Sequence, residues 1–121
     1  MKRRAYDHRS AQQLLPMLRS IAVELTERSN AIESLEERLL EARGRQRRAK
    51  PSPEFVDLQS DLANHKRELR LAKLEISRLG CMLDEDRALR ILIPGSAGSF
   101  ESGFAWDGTL DRLQRVETAP I

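Results

Sequence analysis

The sequence predicts a mainly α-helical fold: a long antiparallel two-helix coiled-coil hairpin followed by a small C-terminal β-hairpin. Charged residues make up 33% of the 121 residues and aromatic residues only 4%, a composition typical of long solvated helices. Two apolar stripes, of nine and eight residues, recur at steps of three and four residues, and near the C-terminus the period changes to two. A chain of this length is expected to form a single domain, residues 1–121.

The first helix is predicted over residues 7–43. Asp7 and Ser10 can each serve as its N-cap, because a short polar side chain accepts hydrogen bonds from the first free amides. Pro16 lacks the amide hydrogen that a helix interior uses, so a kink is predicted near this residue. The apolar stripe has one charged member and consists of Leu14, Leu18, Ile21, Leu25, Arg28, Ile32, Leu35, Leu39 and Ala42.

A basic turn is predicted over residues 44–52 and a second helix over residues 53–79. Gly44 is a good C-cap residue, and Ser52 with Pro53 forms a good N-cap and first-turn pair. The second apolar stripe has one polar member and consists of Phe55, Leu58, Leu62, His65, Leu69, Ala72, Ile76 and Leu79.

The matched spacing of the two stripes predicts how the helices pair. A reversal of the chain at the basic turn places Ala42 opposite Phe55, and the equal steps keep every later layer paired as far as Leu18 with Leu79. A slip by one helical turn is the main alternative to this register.

Residues 81–106 are predicted to form short strands and a β-hairpin. The alternating positions of the hairpin are Leu89, Ile91 and Ile93, then Phe100, Ser102, Phe104 and Trp106. Its turn, Pro94–Ser99, contains glycines but lacks the lysine and hydroxyl residue of a phosphate-binding loop. A short strand is expected at Cys81–Leu83. In the tail, residues 107–121, one helical turn is expected around Leu110–Val116.

The order of these parts from Tyr6 to Trp106 resembles an uncharacterised bacterial family, domain of unknown function 2203. The residues that carry the resemblance before the two charged helices are Tyr6, Asp7, Ala11, Leu14, Leu15 and Pro16. After Gly80, the resemblance continues with a strand ending in Pro94 and a strand ending in Trp106. The resemblance implies this architecture and a bacterial origin, and it implies no reaction.

The chain departs from the family pattern directly after Trp106. Family members continue with a Gly-Glu pair and a Trp-His pair, whereas this sequence continues with Asp107, Gly108, Thr109 and Leu110. A function that depends on the missing pairs is therefore not expected here.

No arrangement typical of an enzyme is present in the sequence. His8, His65 and Cys81 are the best candidates for a transition-metal site, but a zinc site needs three or four converging ligands. The predicted register separates His65 from His8 by roughly 36 Å of helix. We therefore expect no metal, no cofactor and no catalytic site.

Arg28 and His65 interrupt the two stripes in neighbouring layers of the predicted hairpin. We expect Arg28 to reach Glu24 or Glu68, and His65 to turn outward at a wet layer. Polar residues at such positions can fix the register or the pairing of helices. This structural interpretation is favoured over a pH-sensitive contact.

The basic turn is a candidate polyanion-binding site. Its positive residues are Arg43, Arg45, Arg47, Arg48 and Lys50, with no acidic residue between them. Such a cluster can bind nucleic-acid phosphates, but no aromatic residue lies within it to stack on bases. A solvated turn is the favoured interpretation.

The function expected from the sequence is that of a non-enzymatic interaction or scaffold protein that self-associates, with a homodimer favoured. A two-helix rod would leave off-stripe apolar residues such as Leu40, Val56, Leu71 and Leu74 uncovered. The alternative is a nucleic-acid-associated accessory protein. A lone cysteine, Cys81, and the lack of a signal peptide or an apolar segment long enough for a membrane point to the cytoplasm and to no membrane partner.

Overall fold

The computed structural model describes residues 4–45, 52–84, 89–95, 98–108 and 113–115. The protein is mainly helical, with a small four-stranded antiparallel sheet. Its elements are α1 (His8–Gln13), α2 (Leu15–Arg45), α3 (Pro53–Arg78), β1 (Met82–Asp84), β2 (Arg90–Ile93), β3 (Phe104–Asp107) and β4 (Gln114–Arg115). The chain divides into two compact units, one from residues 23–72 and the other from residues 1–22 and 73–121.

The start of the helical region differs from the prediction of one kinked helix. Asp7 is the N-cap of α1, and its carboxylate accepts a hydrogen bond from the amide of Ser10 at 2.7 Å. The chain then breaks at Leu14, whose amide donates to the carbonyl of Ala11, and α2 begins at the next residue. Pro16 consequently lies in the first turn of α2, where its missing amide hydrogen leaves no bond unmade.

In the unit of residues 23–72, segments of α2 and α3 pack against each other. The amide of Phe55 donates to the side chain of Ser52 at 3.1 Å, which caps α3 as the sequence predicts. The apolar cluster of this unit consists of Leu35, Ala42, Phe55 and Leu58, with Leu39 and Leu62 packed against it. The cluster and the residues packed against it include both members of three predicted pairs: Ala42 with Phe55, Leu39 with Leu58, and Leu35 with Leu62. Gly44 lies within α2 rather than after it, and residues 46–51 of the predicted turn lie outside the described residues.

The end of α3 is closed by two backbone hydrogen bonds. The amide of Gly80 donates to the carbonyl of Ser77, and the amide of Cys81 donates to the carbonyl of Ile76. Gly80 has a φ of 80°, a left-handed conformation that glycine adopts without steric cost. This Schellman motif reverses the chain after Leu79 and leads it into β1.

The sheet has the order β1-β2-β3-β4, with every neighbouring pair antiparallel. Ile91 pairs with Trp106 and Ile93 pairs with Phe104, and all four side chains are buried. Paired residues of antiparallel strands project to the same side, so these residues form one apolar face. The predicted alternation of the hairpin correctly identified this face.

Three expectations about the C-terminal region need correction. The second hairpin strand begins at Phe104 rather than Phe100, because a turn in which the amide of Gly103 donates to the carbonyl of Phe100 precedes it. The short strand is shifted by one residue to Met82–Asp84. The helical turn expected around Leu110–Val116 is wrong for Gln114–Arg115, which form β4 and bond to the outer edge of β3. Pairing satisfies edge amides and carbonyls that water would otherwise have to bond.

Tyr6 ties the N-terminal segment into the unit that contains the sheet. Its amide donates to the carbonyl of Pro94 at 3.2 Å, and its hydroxyl donates to the carbonyl of Leu79 at 2.6 Å. The largest fully buried side chains of this unit are Leu18, Ile76, Ile91, Ile93 and Trp106. The aromatic residue before the first helix is therefore a structural anchor.

Candidate interaction surface

Arg28 and His65, the two residues that interrupt the apolar stripes, contact each other in the structure. Nη1 of Arg28 lies 3.0 Å from Nδ1 of His65, and both side chains are half-buried. The expectation that His65 turns outward is therefore wrong. A guanidinium carries only donors, so this contact is a hydrogen bond when His65 accepts through an unprotonated Nδ1.

Carboxylates surround the Arg28 side of this contact. Nε of Arg28 donates to Oε1 of Glu24 at 2.8 Å, one turn earlier on the same helix. This hydrogen bond, with the nearby charges of Glu68 and Glu27, raises the pKa of Arg28 above its ordinary value. Arg28 is therefore a permanent cation, bonded on one side to a carboxylate and on the other to an imidazole.

The basic turn is only partly described. Arg43 and Arg45 lie in the last turn of α2, and both side chains are exposed. Cations at this position interact favourably with the negative end of the helix dipole, so the two residues also have a structural reason to be there. Arg47, Arg48 and Lys50 lie outside the described residues.

Large apolar side chains are exposed on both helices of the unit of residues 23–72. Leu40 is 68% exposed, Val56 is 49% exposed and Leu71 is 48% exposed. Leu40 directly follows Leu39, and Val56 directly follows Phe55, and both preceding residues belong to the apolar cluster. In an antiparallel helix pair, the residues that follow the contact positions point to the same side of the pair, because the two helices run in opposite directions.

An ion pair marks this same side of the hairpin. Nζ of Lys66 lies 3.5 Å from Oε1 of Glu36, and both side chains are more than half exposed. Glu36 directly follows Leu35 on α2, and Lys66 directly follows His65 on α3. The position of the pair agrees with the geometry that brings Leu40 and Val56 to one side. An exposed pair of this kind contributes about 0–1 kcal/mol, so it reports geometry more than stability.

The three metal-ligand candidates have separate surroundings. The ring of His8 makes an edge contact with Phe104, with the centroids 5.8 Å apart. Burial raises the pKa of the Cys81 thiol to about 11, so it is a poor nucleophile and a poor metal ligand at neutral pH. Among the described residues, no group of three His, Cys, Asp or Glu side chains is placed to hold a metal ion.

The sequence alone does not predict the Glu36–Lys66 ion pair or the direct bond between Arg28 and His65. The sequence feature that could have indicated the ion pair is that Glu36 and Lys66 each directly follow a residue of an apolar stripe. The contact between Arg28 and His65 depends on the reach of an arginine side chain across one layer, which the spacing of the stripes does not specify.

In the described part of the chain, no helix has the length and apolar character needed to cross a membrane. No family model, no curated protein and no solved structure matches this chain.

Proposed function

We propose that this chain is a non-enzymatic interaction or scaffold protein that self-associates through its helix faces, as a homodimer. The observation that carries the proposal is the exposure of Leu40, which is 68% exposed, together with that of Val56 on α3, which is 49% exposed. Isolated apolar side chains are common on protein surfaces, but apolar residues that share one side of a helical hairpin are typical of a helix-packing face.

The strength of the expected association follows from the area available. Burial of a leucine or valine side chain contributes about 1.5–3 kcal/mol when it is complete, and these side chains start partly covered. Association also costs about 4–15 kcal/mol of lost translational and rotational freedom, plus the ordering of side chains. Several apolar contacts from each copy are therefore needed, and we expect a dissociation constant on the order of micromolar.

Sedimentation equilibrium of the full chain from about 1 to 100 μM, a range that brackets micromolar affinity, tests the proposal. We expect a reversible shift from the monomer mass to the dimer mass, and Leu40→Asn should move that shift to higher concentration. Ser34→Asn, at another exposed position of α2, is the matched control and should leave it unchanged. A strictly monomeric chain at tens of micromolar would contradict self-association.

Finer structural and cellular proposals accompany this function. We propose that the hairpin is a coiled coil, supported by the heptad spacing of both stripes and by the membership of its apolar cluster. We propose a cytoplasmic location, which rests on the use of a single cysteine. Membership of the domain of unknown function 2203 family remains a proposal that rests on the motif residues from Tyr6 to Trp106.

A nucleic-acid-associated function is the second candidate. The exposed side chains of Arg43 and Arg45, together with the absence of any acidic residue from Ala42 to Pro53 in the sequence, favour it. Neutralised phosphates release counterions, so binding through this turn would weaken steeply with salt. Fluorescence anisotropy with a labelled RNA and a labelled DNA duplex at 50 to 200 mM salt, a range that exposes this dependence, is the test. Salt-independent or absent binding, or binding unchanged by Arg45→Ala with Arg47→Ala and Arg48→Ala, would reject this candidate.

A further inference from the structure

On the exposed face of α2 around Leu40, negative side chains lie before Leu40 along the helix and a positive side chain lies after it. Glu33 and Glu37 precede Leu40, and Arg43 follows it. Glu37 and Arg43 are each three residues from Leu40, on its two sides along the helix, and all four side chains are exposed. Residues three and four apart are neighbours on a helix surface. Leu40 is therefore an exposed apolar residue between two glutamates and an arginine.

The charges on this face lack opposite charges at neighbouring positions of their own helix. The residues three and four positions from Glu33 are Ser29, Asn30, Glu36 and Glu37. The residues three and four positions before Arg43 are Leu40 and Leu39. Like charges at these spacings destabilise a helix by about 0.2–0.5 kcal/mol per pair. The spacing of the glutamates is thus unfavourable for the isolated helix, and a partner of complementary charge would offset that cost.

A second copy of the same helix provides this complement in one orientation only. When two α2 helices lie antiparallel with Leu40 opposite Leu40, Glu37 of each copy faces Arg43 of the other. At about 1.5 Å per residue, each of these pairs lies roughly 4.5 Å along the axis from the central leucines. A parallel arrangement would instead place Glu37 opposite Glu37 and Arg43 opposite Arg43, which repel.

We infer that two copies of the chain associate about a twofold axis at Leu40, with the exposed faces of α2 antiparallel and Glu37 of each copy paired with Arg43 of the other. This inference rests on the proposed self-association and names the surface and the orientation. Val56, on the same side of the hairpin, extends the apolar contact. Among the described residues, no atom lies within 4 Å of a Cβ added at Gly44, so the described part of the chain leaves room for the two backbones to approach closely at this end of the contact.

A charge-swap experiment tests the orientation directly. In Glu37→Arg, both members of each intermolecular pair are positive, and in Arg43→Glu both are negative, so each variant alone should dissociate at least about tenfold more readily. In an equimolar mixture, the arginines of the first variant face the glutamates of the second at both pairs. We therefore expect the mixture to recover the affinity of the unaltered chain as a heterodimer, detected by sedimentation velocity with one variant fluorescently labelled.

Matched controls distinguish this arrangement from a general effect of charge. Glu41→Arg and Arg38→Glu make the same charge changes at exposed positions of α2 that do not flank Leu40 along this face. We expect neither to weaken association as strongly, and their mixture should gain nothing. Circular dichroism should show unchanged helix content in all four variants, since every replaced side chain is exposed.

The outcomes separate this inference from the proposed function. An unaltered chain that stays monomeric would overturn both. A chain that dimerises, but whose dimer is unaffected by Glu37→Arg and Arg43→Glu, would leave self-association standing and overturn the Leu40-centred arrangement. Weakening by each single variant without recovery in the mixture would overturn it as well, because repulsion would then act without the predicted pairing.

Discussion

Nη1 of Arg28 lies 3.0 Å from Nδ1 of His65, so the two residues that interrupt the apolar stripes of the hairpin contact each other across it. Each alone would leave a polar group in an apolar stripe. Together with Glu24, which accepts a hydrogen bond from Nε of Arg28, they form a polar layer. We predict that this layer specifies how the two helices pair.

Replacement of both Arg28 and His65 by leucine should increase the stability of the hairpin and reduce its specificity. Polar residues in a helical interface often cost stability while excluding wrong registers and wrong oligomers. We expect a higher denaturation midpoint in guanidinium chloride and more than one species in sedimentation velocity. A single species with the mass of the unaltered assembly would contradict the role of this layer. His65→Gln keeps a side-chain acceptor and serves as the conservative control.

Gly80→Ala should destabilise the unit that contains the sheet by about 1–3 kcal/mol, because an L-residue is strained at positive φ. At Gly80, where φ is 80°, an added Cβ would also lie 2.8 Å from Cβ of Arg4. Gly44→Ala is the matched control, since no atom of the described residues lies within 4 Å of its added Cβ and alanine favours a helix over glycine by at most about 0.8–1 kcal/mol. Urea unfolding at one low protein concentration should show a lower free energy of unfolding for Gly80→Ala and a higher one for Gly44→Ala. Equal effects would contradict the conformational argument.

Cys81 should react slowly with thiol reagents while the chain is folded. Burial raises its pKa from 9.0 to about 11, which leaves about a hundredfold less thiolate at pH 8 than in the unfolded chain. Colour development with a disulfide reagent, with and without urea, measures this ratio, and Cys81→Ser is the blank.

The raised pKa of Cys81 also makes the stability of the fold depend on pH. Its contribution to stability is complete below pH 9.0 and is lost as the pH rises towards about 11, so alkali should destabilise the unaltered chain more than Cys81→Ser.

Gly103→Ala should disrupt the pairing of β2 with β3. A Cβ at Gly103 would lie 2.0 Å from the carbonyl oxygen of Ile93, a backbone atom that cannot rotate away. We expect the register between Ile91 and Trp106 to be lost or the strands to separate. Trp106 is the single tryptophan and is fully buried, so its fluorescence emission reports this change. An unshifted emission maximum in Gly103→Ala, with unchanged stability, would contradict the prediction.

Regular spacing made the helices predictable from the sequence. The stripe through Leu35 and Ala42 and the stripe through Phe55 and Leu58 identify the side chains that form the apolar cluster. The N-cap of α3 was also readable, because serine is a residue type with a specific role at helix starts, whereas Gly44, expected as a C-cap, lies within α2. Asp7 and Ser10 remained alternatives in the sequence because they share one arrangement: Asp7 caps the helix and Ser10 completes the capping box.

The structure of the C-terminal region was less predictable because its pairings depend on distant backbone groups. The two-residue strand Gln114–Arg115 carries no apolar pattern, and it forms because β3 presents an edge to it. The contact between Arg28 and His65 was not predicted for a similar reason, since a long side chain can reach a partner in the neighbouring layer as well as in its own. Hydrogen bonds of Tyr6 to Pro94 and Leu79 likewise have no local signature in the sequence.

Those two hydrogen bonds of Tyr6 also bear on how the chain folds as it leaves the ribosome. The unit of residues 23–72 is continuous in sequence, so it can acquire its contacts as soon as that stretch has been synthesised. Tyr6 can form its hydrogen bond to Pro94 only after Pro94 has been synthesised. The other unit joins segments that lie before and after residues 23–72, so its formation costs more loop-closure entropy than formation of the hairpin. The hairpin is therefore expected to form first, and Tyr6, although it is made before the hairpin, is expected to reach its final position after it.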